Sequence, residues 1–260
     1  MEFLQKNQFD TTTAISVSSG TGTADNLLDR NLRLQYVTNG FNDDNTTATL
    51  TINFDETTTV SRIGLLGMNI KAFTCYYNGV TANTFSLTST GATTVSDFSS
   101  NSESSMMLSA TPVECTSVSI DLKSTQQANQ EKAIGYLALT SVLSDLDGRV
   151  PNSASYDPLF TPKEVIHELS DGSFRSQVVD RKFSARIRLD YADTALRNEL
   201  KTVFDLHDDF MFAAFPTTTG WDEVFFPCIW AGPFRFFEFS DNSARAGHSG
   251  DIRLLETRPG

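Results

Sequence analysis

The chain has 260 residues, of which 39% are hydrophobic, so it is long enough for one or two globular domains and too apolar for a disordered chain. Its 20 basic and 32 acidic residues give a formal net charge of −12. This balance argues against nucleic acid and anionic membranes as partners, because both bind surfaces of clustered Lys and Arg.

The three cysteines are far apart in the sequence, which favours free thiols over a disulfide framework or a zinc site. The N-terminus lacks the basic and apolar regions of a secretion signal, and no apolar run approaches the roughly 18 residues of a membrane span. We therefore expect a soluble protein that assembles in a cytoplasm-like compartment, without membrane insertion.

The first part of the chain is rich in threonine and predicts a series of short strands. Residues 47–54, TATLTINF, alternate apolar and polar side chains as a half-buried strand does. The other predicted strands of this part are residues 14–19, 60–67, 72–79, 116–123 and 133–142. Strands at this spacing, without a helical period, predict a β-sandwich or jelly roll.

A change in composition marks the predicted domain boundary. Residues 1–148 contain 24 threonines and 3 arginines, whereas the rest of the chain contains 7 threonines and 10 arginines. Residues 145–162 between the two parts carry three prolines and several turn-forming residues. We predict a domain at 1–148, a linker at 149–162 and a second domain at 163–260.

The second domain is predicted to be a β-sandwich with one helix. After a short strand at 164–169, residues 174–191 form a long strand with one apolar and one charged face. Residues 193–208 then change to a helical period, with Asp193 or Thr194 as the N-cap. The remaining predicted strands lie at 210–216, 223–232, 233–241 and 250–257.

Aromatic side chains occupy both faces of the strand at 233–241. Phe234 and Phe236 point to one face, and Phe237 and Phe239 point to the other. The predicted helix is long enough to cover only part of this aromatic surface, so we expect another subunit to cover the rest. The predicted oligomer interface comprises Trp230, Phe234, Phe236, Phe237, Phe239, Arg186 and Arg188. For the arginines, and for Arg181 and Lys182 on the same strand, a solvated strand face is an equal alternative.

Sequence motifs give no support for catalysis. His167, His207 and His248 are about forty residues apart and lack metal-ligand spacing. No nucleophile elbow, phosphate-binding loop or dinucleotide fingerprint is present. We therefore predict no catalytic residue, no metal ligand and no cofactor, and a protein that is not an enzyme.

Two acidic pairs and one tryptophan leave metal binding, catalysis or ligand stacking as alternative interpretations. The acidic pairs at 43–44 and 208–209 favour solvated loops, with calcium binding in the first domain as one alternative. A glycan-degrading enzyme is another alternative, for which Asp43 and Asp44 would need to face a cleft. Trp221 lies in a predicted turn, where stacking on a sugar or a partner chain and packing on its own domain are equally weighted.

Two stretches resemble discoidin-like, or galactose-binding-like, domains. Residues 18–41, SSGTGTADNLLDRNLRLQYVTNGF, are similar to the opening of that family, and residues 47–69 resemble its strand pair before a buried aliphatic cluster. Tyr36 stands where the family often has Trp. The resemblance implies an N-terminal jelly-roll sandwich, and as an alternative function a carbohydrate-binding module that recognises host-surface glycan. Tyr36, Phe41 and Tyr77 are the candidate stacking residues.

The second domain resembles phage tail-tube proteins in its order of long charged strand, helix, aromatic strands and closing strand. Together with a discoidin-like domain, this order is similar to minor and distal tail proteins of the phage baseplate. The resemblance implies a homo-oligomeric ring that joins the tail tube to the host-attachment apparatus, with tube and hub proteins as partners. The expected location is the virion tail, after assembly in the host bacterial cytoplasm.

Overall fold

The protein is mainly β, as the sequence predicts. The computed structural model describes residues 1–10, 14–17, 24–29, 34–38, 43–79, 93–146, 154–168, 171, 173–216, 225–240 and 246–257; the side chains of 93–95, 154, 162–165, 177–182, 239, 240 and 246 lie outside this description. Within these ranges the strands are β1 (Glu2–Leu4), β2 (Ala14–Val17), β3 (Tyr36–Val37), β4 (Ala48–Leu66), β5 (Ile70–Asn78), β6 (Thr93–Phe98), β7 (Met106–Thr125), β8 (Ala133–Ile134), β9 (Tyr136–Thr140), β10 (Val142–Asp145), β11 (Ala154–Glu168), β12 (Phe174–Ala192), β13 (Phe210–Ala213), β14 (Phe226–Trp230), β15 (Phe236–Ser240) and β16 (Ala246–Glu256). The described helices are a 3-10 helix at Ala24–Leu27 and α1 at Thr194–Asp205.

The chain forms two compact units whose boundaries differ from the predicted ones. The first unit contains Met1–Leu143 and Met211–Phe226, and the second contains Ser144–Phe210 and Pro227–Thr257. Residues 211–226 join the first unit because β13 pairs antiparallel with β1, Phe3 lying opposite Phe212. Such a pairing, between residues more than two hundred positions apart, leaves no local signal in the sequence.

The first unit is built on a six-stranded sheet of order β2-β4-β7-β5-β6, in which β9 also pairs with β4. The predicted strands at 47–54 and 60–67 are parts of one strand, β4. Its register to β7 shifts between Asn53 and Thr58 and again between Val60 and Arg62. Irregularities of this kind bend a strand and increase its twist, which lets one long strand serve a curved sandwich.

Two buried clusters stabilise the first unit. The main cluster lies under β4, β5 and β7, where Leu50, Ile52 and Phe73 are fully buried. A second cluster includes Tyr136 and Phe225, whose ring centroids are 5.9 Å apart. Gly64 is required beside this cluster, because a Cβ at that position would lie 2.3 Å from the Cζ atom of Phe225.

The second unit is a sheet with one described helix against it. β11 and β12 form a long antiparallel hairpin, β16 pairs with β12, and β14 and β15 both pair with β16. The linker predicted at 149–162 is therefore wrong from Ala154 onward, where β11 begins. Pro158 and Pro162 suggested a hinge, but β11 has β12 as its neighbour on one side only, and an edge strand tolerates residues without a backbone N–H.

Helix α1 confirms the predicted helix at 193–208. The Asp193 carboxylate accepts a hydrogen bond from the backbone N–H of Leu196 at 2.7 Å, so Asp193 is the N-cap. Leu196, Leu200 and Val203 form its buried stripe. In the part of the chain that the structure describes, no helix is both long and apolar enough to cross a membrane.

Candidate functional site

The sheet of the second unit has two faces of different character. Its inner face, on which α1 packs, carries the buried side chains of Ile187 and Leu189 on β12 and of Ile252 and Leu254 on β16. Strict alternation along these strands places the intervening residues on the opposite side, which we call the outer face. The apolar and charged faces predicted for the strand at 174–191 are thereby confirmed for residues 183–190.

An aromatic cluster fills the inner face beside α1. Phe204 of the helix lies 5.6 Å from Trp230 and 5.5 Å from Phe234, and Phe234 lies 4.7 Å from Phe236, measured between ring centroids. Arg197 adds a cation–π contact to Phe234, with its Cζ atom 5.6 Å from the ring centroid. Trp230, Phe234 and Phe236, which were predicted to contact another subunit, pack beside the helix of their own chain and stay half-buried, so their contact with another subunit remains a prediction.

Apolar side chains on the outer face stay exposed. The strand registers align Leu159, Ser184, Leu255 and Ile229 in one row across β11, β12, β16 and β14. Leu159 is 60% exposed and Leu255 is 47% exposed. Phe237 on β15 shares this face and is 68% exposed. The side chain of Phe239 lies outside the described residues.

Arginines line a concave part of the outer face. Two adjoining concavities, of about 530 and 390 Å³, share Ala231, Gly232 and Arg253 in their walls. We call them together the arginine groove. Their lining residues include Arg186, Arg188, Arg235, Arg253, Asp251 and Phe237. The lining contains four arginines and three aspartates, Asp157, Asp190 and Asp251, so it has a slight excess of positive charge in a chain whose net charge is −12.

Only some of these arginines are neutralised. Arg186 donates a hydrogen bond to Asp251 at 2.8 Å, which raises the pKa of the guanidinium, and Arg188 donates to Asp190 at 2.9 Å. Among the described residues, Arg235 and Arg253 have no carboxylate partner. The Oδ1 atom of Asp251 is buried and accepts no hydrogen bond from the described part of the chain. The groove therefore offers two cations that no carboxylate of the described residues neutralises.

A two-stranded arm extends from the same sheet. The pairing of β12 with β16 ends at Ser184 and Leu255, and beyond it β11 and β12 pair only with each other as far as Glu168 and Phe174. We call residues 160–168 and 174–183 the arm. A contact between Phe160 and Phe183, with ring centroids 4.9 Å apart, closes its base. Arg181 and Lys182, which were considered with the interface arginines of this strand, have side chains outside the described residues.

Two of the three candidate glycan contacts, Tyr36 and Tyr77, are buried. Tyr36 is fully buried and Tyr77 is 2% exposed, so neither ring presents a face on which a sugar could stack. Burial raises the pKa of Tyr36 to about 12, and it also raises the pKa of Tyr77. Both are core residues of the first unit, which corrects the prediction. Phe41 and Trp221 lie outside the described residues.

The acidic pair at 43–44 forms a hydrogen-bonded loop. The Asp44 carboxylate accepts hydrogen bonds from the backbone N–H and the hydroxyl of Thr125, both at 3.0 Å. The first of these bonds is the main reason why the pKa of Asp44 is lowered. Lys132, which is fully buried, donates from Nζ to the backbone oxygen of Asp43 at 3.2 Å. Over the described ranges, no group of three or more His, Cys, Asp or Glu residues is arranged to hold a metal ion.

Comparison with known proteins gives a likeness of fold. No family model matches this chain, and no curated protein matches it. One similar solved structure is chitosan-binding module 1 from a Paenibacillus chitosanase/glucanase, with 14% identity and a TM-score of 0.42 over 53% of this chain and 99% of that chain. Another is the family 32 carbohydrate-binding module of Clostridium perfringens NanJ in complex with galactose, with 16% identity and a TM-score of 0.42 over 54% of this chain and all of that chain. At these TM-scores and identities, neither a family nor a ligand is assigned to this chain from these structures.

Proposed function

We propose that this protein is a structural subunit that assembles with copies of itself through its second unit. The observation that carries the proposal is the open sheet of that unit. Phe174 of the arm is 69% exposed and Phe237 of the outer face is 68% exposed. The outer face also exposes Leu159, Leu255 and Ile229. Exposed apolar surface of this kind is common at permanent interfaces between subunits.

Association occurs through the face and the arm rather than by adding a strand to the edge. β11 is the edge strand of the second unit, and Pro158 and Pro162 interrupt its backbone donors. Because these prolines are four residues apart, their missing N–H groups fall on the same side of the strand. Prolines on an exposed edge oppose strand-to-strand pairing with another chain.

The sequence resemblance to phage tail proteins suggests where such an assembly functions. In a phage tail, such copies form a ring that joins the tail tube to the host-attachment apparatus, with the first unit at the periphery. The partners are then other copies, tube proteins and hub proteins, and the role is structural rather than enzymatic. This setting is supported by the order of elements along the sequence.

Glycan binding by the first unit is the second candidate, and the comparisons agree with it better than with a tail ring. The similar solved structures include modules described as chitosan-binding or as bound to galactose. The likeness is one of fold, and two of the stacking residues predicted for this chain, Tyr36 and Tyr77, are buried. A glycan array probed with the full chain tests this candidate: saturable binding to one glycan class would support it, and no binding would contradict it.

Light scattering of the full chain tests self-assembly. We expect a particle mass that is a multiple of the 28.7 kDa chain and that rises with protein concentration. Phe237→Ser should lower that mass because it removes exposed apolar area from the outer face. The matched control is Leu206→Ser, at an exposed position at the end of α1, which should leave the mass unchanged. A wild-type chain that stays monomeric at its highest soluble concentration would overturn the proposal.

A further inference from the structure

We infer that the tip of the arm of one copy docks in the arginine groove of the next copy. This inference rests on the proposed self-assembly and names the two surfaces that meet. It commits to a second copy of the chain as the occupant of the groove.

The arm needs a partner for its stability. Beyond Ser184, no third strand of the described residues pairs with this hairpin, and two-stranded hairpins are marginally stable in water on their own. Ile166 and Phe174 near its tip are 65% and 69% exposed. Burying two apolar side chains of this size against a partner is favourable, because it removes their surface from water. The arm therefore gains stability when its tip is covered.

The tip carries the charges that the groove lacks. Glu168 and Asp171 provide two exposed carboxylates, and Ser173 donates two hydrogen bonds to Asp171 that lower its pKa and keep it ionised. Arg175 provides one exposed guanidinium. The two carboxylates match Arg235 and Arg253, which no carboxylate of the described residues neutralises.

Apolar contacts match in the same way. Phe237 and Leu255 flank the groove on the outer face and are largely exposed, as are Ile166 and Phe174 at the tip. Ala231 and Gly232 are small lining residues, and no heavy atom lies within 4 Å of where a Cβ on Gly232 would stand, which leaves room for an incoming side chain. Exposed rings surrounded by complementary charges are the usual composition of an interface that excludes water.

The tip cannot reach the groove of its own chain. An extended strand rises about 3.3 Å per residue, so Phe174 lies roughly 33 Å along β12 from Ser184. The groove begins near Ser184 and runs along β12 toward Asp190, in the opposite direction from the tip. Docking is therefore between copies and joins two different surfaces, a head-to-tail arrangement that closes into a ring or continues as a filament.

Charge reversal tests the pairing. Glu168→Arg with Asp171→Arg reverses the tip, and Arg235→Glu with Arg253→Glu reverses the groove. Each pair alone should weaken assembly about tenfold or more, measured as the concentration at which half of the chains are assembled, because like charges then meet. A chain with all four substitutions should recover most of the assembly. The control is Asp55→Arg with Glu56→Arg, at exposed positions of β4 in the first unit, which should leave assembly unchanged.

Cross-linking gives a second measurement that does not depend on charge. The native cysteines are all free and buried, so an introduced surface cysteine reacts selectively. Mild oxidation of Phe174→Cys chains mixed with Phe237→Cys chains should give a disulfide-linked dimer that contains one copy of each. Leu34→Cys, at an exposed position of the first unit, replaces Phe237→Cys in the control mixture and should give little dimer.

The outcomes separate this inference from the proposed function. If the wild-type chain assembles and neither charge reversal changes its assembly, arm docking is overturned while self-assembly stands. If each reversal blocks assembly and their combination does not restore it, direct pairing of tip and groove is likewise overturned. A wild-type chain that never assembles overturns both.

Discussion

The two units differ in how completely they bury their own apolar surface. Ten large hydrophobic side chains are exposed among the described residues, and eight of them belong to the second unit although it is the smaller one. The first unit closes its core and also buries charged groups such as Lys132 and Glu2. Among the described residues, the first unit therefore buries most of its large apolar side chains, whereas the second leaves several of them exposed on one face of its sheet and on the arm.

The inner and outer faces of the sheet in the second unit also differ in how far their apolar side chains are buried. The same strands form both faces. Among the described residues, a helix packs only against the inner face. Aromatic residues at both odd and even positions of a short strand, as in β15, therefore indicate a strand with two apolar neighbours. Here one neighbour is α1, and we propose that the other is a second copy.

The largest expected effect is a loss of stability when a buried ion pair of the first unit is broken. Arg62 donates to both carboxylate oxygens of Glu2, at 2.8 and 2.6 Å, and Glu2 is only 5% exposed. Arg62→Met leaves that carboxylate buried without its cation, so the free energy of unfolding should fall by about 4 kcal/mol in urea titrations. Arg186→Met breaks an exposed pair of the second unit and should change stability little. Equal effects of the two substitutions would contradict the contrast between the units.

The next effect compares the two faces through adjacent residues. Leu254 on the inner face is fully buried, and Leu255 on the outer face is 47% exposed. Leu254→Ala should lower the free energy of unfolding by about 3 kcal/mol because it leaves a cavity beneath α1. Leu255→Ala should lower it by about 0.5 kcal/mol or less at concentrations where the chain is monomeric. At concentrations where the chain assembles, Leu255→Ala should weaken assembly more than Leu254→Ala does.

Local sequence pattern accounts for the elements that were predicted correctly. The strand at 47–54 follows from strict alternation, and α1 follows from its period and from Asp193 at its start. The arginines of the groove are also partly visible in the sequence, because Arg186 and Arg188 alternate with buried residues of β12. The same alternation in 251–255 would have added Arg253 to that face.

Features that depend on distant contacts were not predictable from pattern. The pairing of Phe3 with Phe212, which brings residues 211–226 into the first unit, is set by packing between remote segments. Tyr36 and Tyr77 were candidates for sugar contacts because aromatic residues between polar ones can face either solvent or core. The first unit directs both rings inward. Residues 154–162 carry the composition of a hinge, and their position at a sheet edge is what permits prolines in a strand.

The smallest effect concerns the acid stability of the closed unit. Hydrogen bonds from Thr125 hold the pKa of Asp44 below its usual value in the folded chain, so the ionised carboxylate favours the folded state. This contribution is present above the carboxyl pKa of the unfolded chain and is lost as the pH falls through the lower pKa of the folded chain. The melting temperature of the wild type should therefore drop further between about pH 7 and about pH 3 than that of Asp44→Asn, whose amide does not titrate there. Asp55→Asn removes an exposed carboxylate to which the described residues donate no hydrogen bond, and it should keep the wild-type acid response. If Asp44→Asn and the wild type lose the same stability on acidification, the loop at 43–44 is solvated, as the sequence alone favoured.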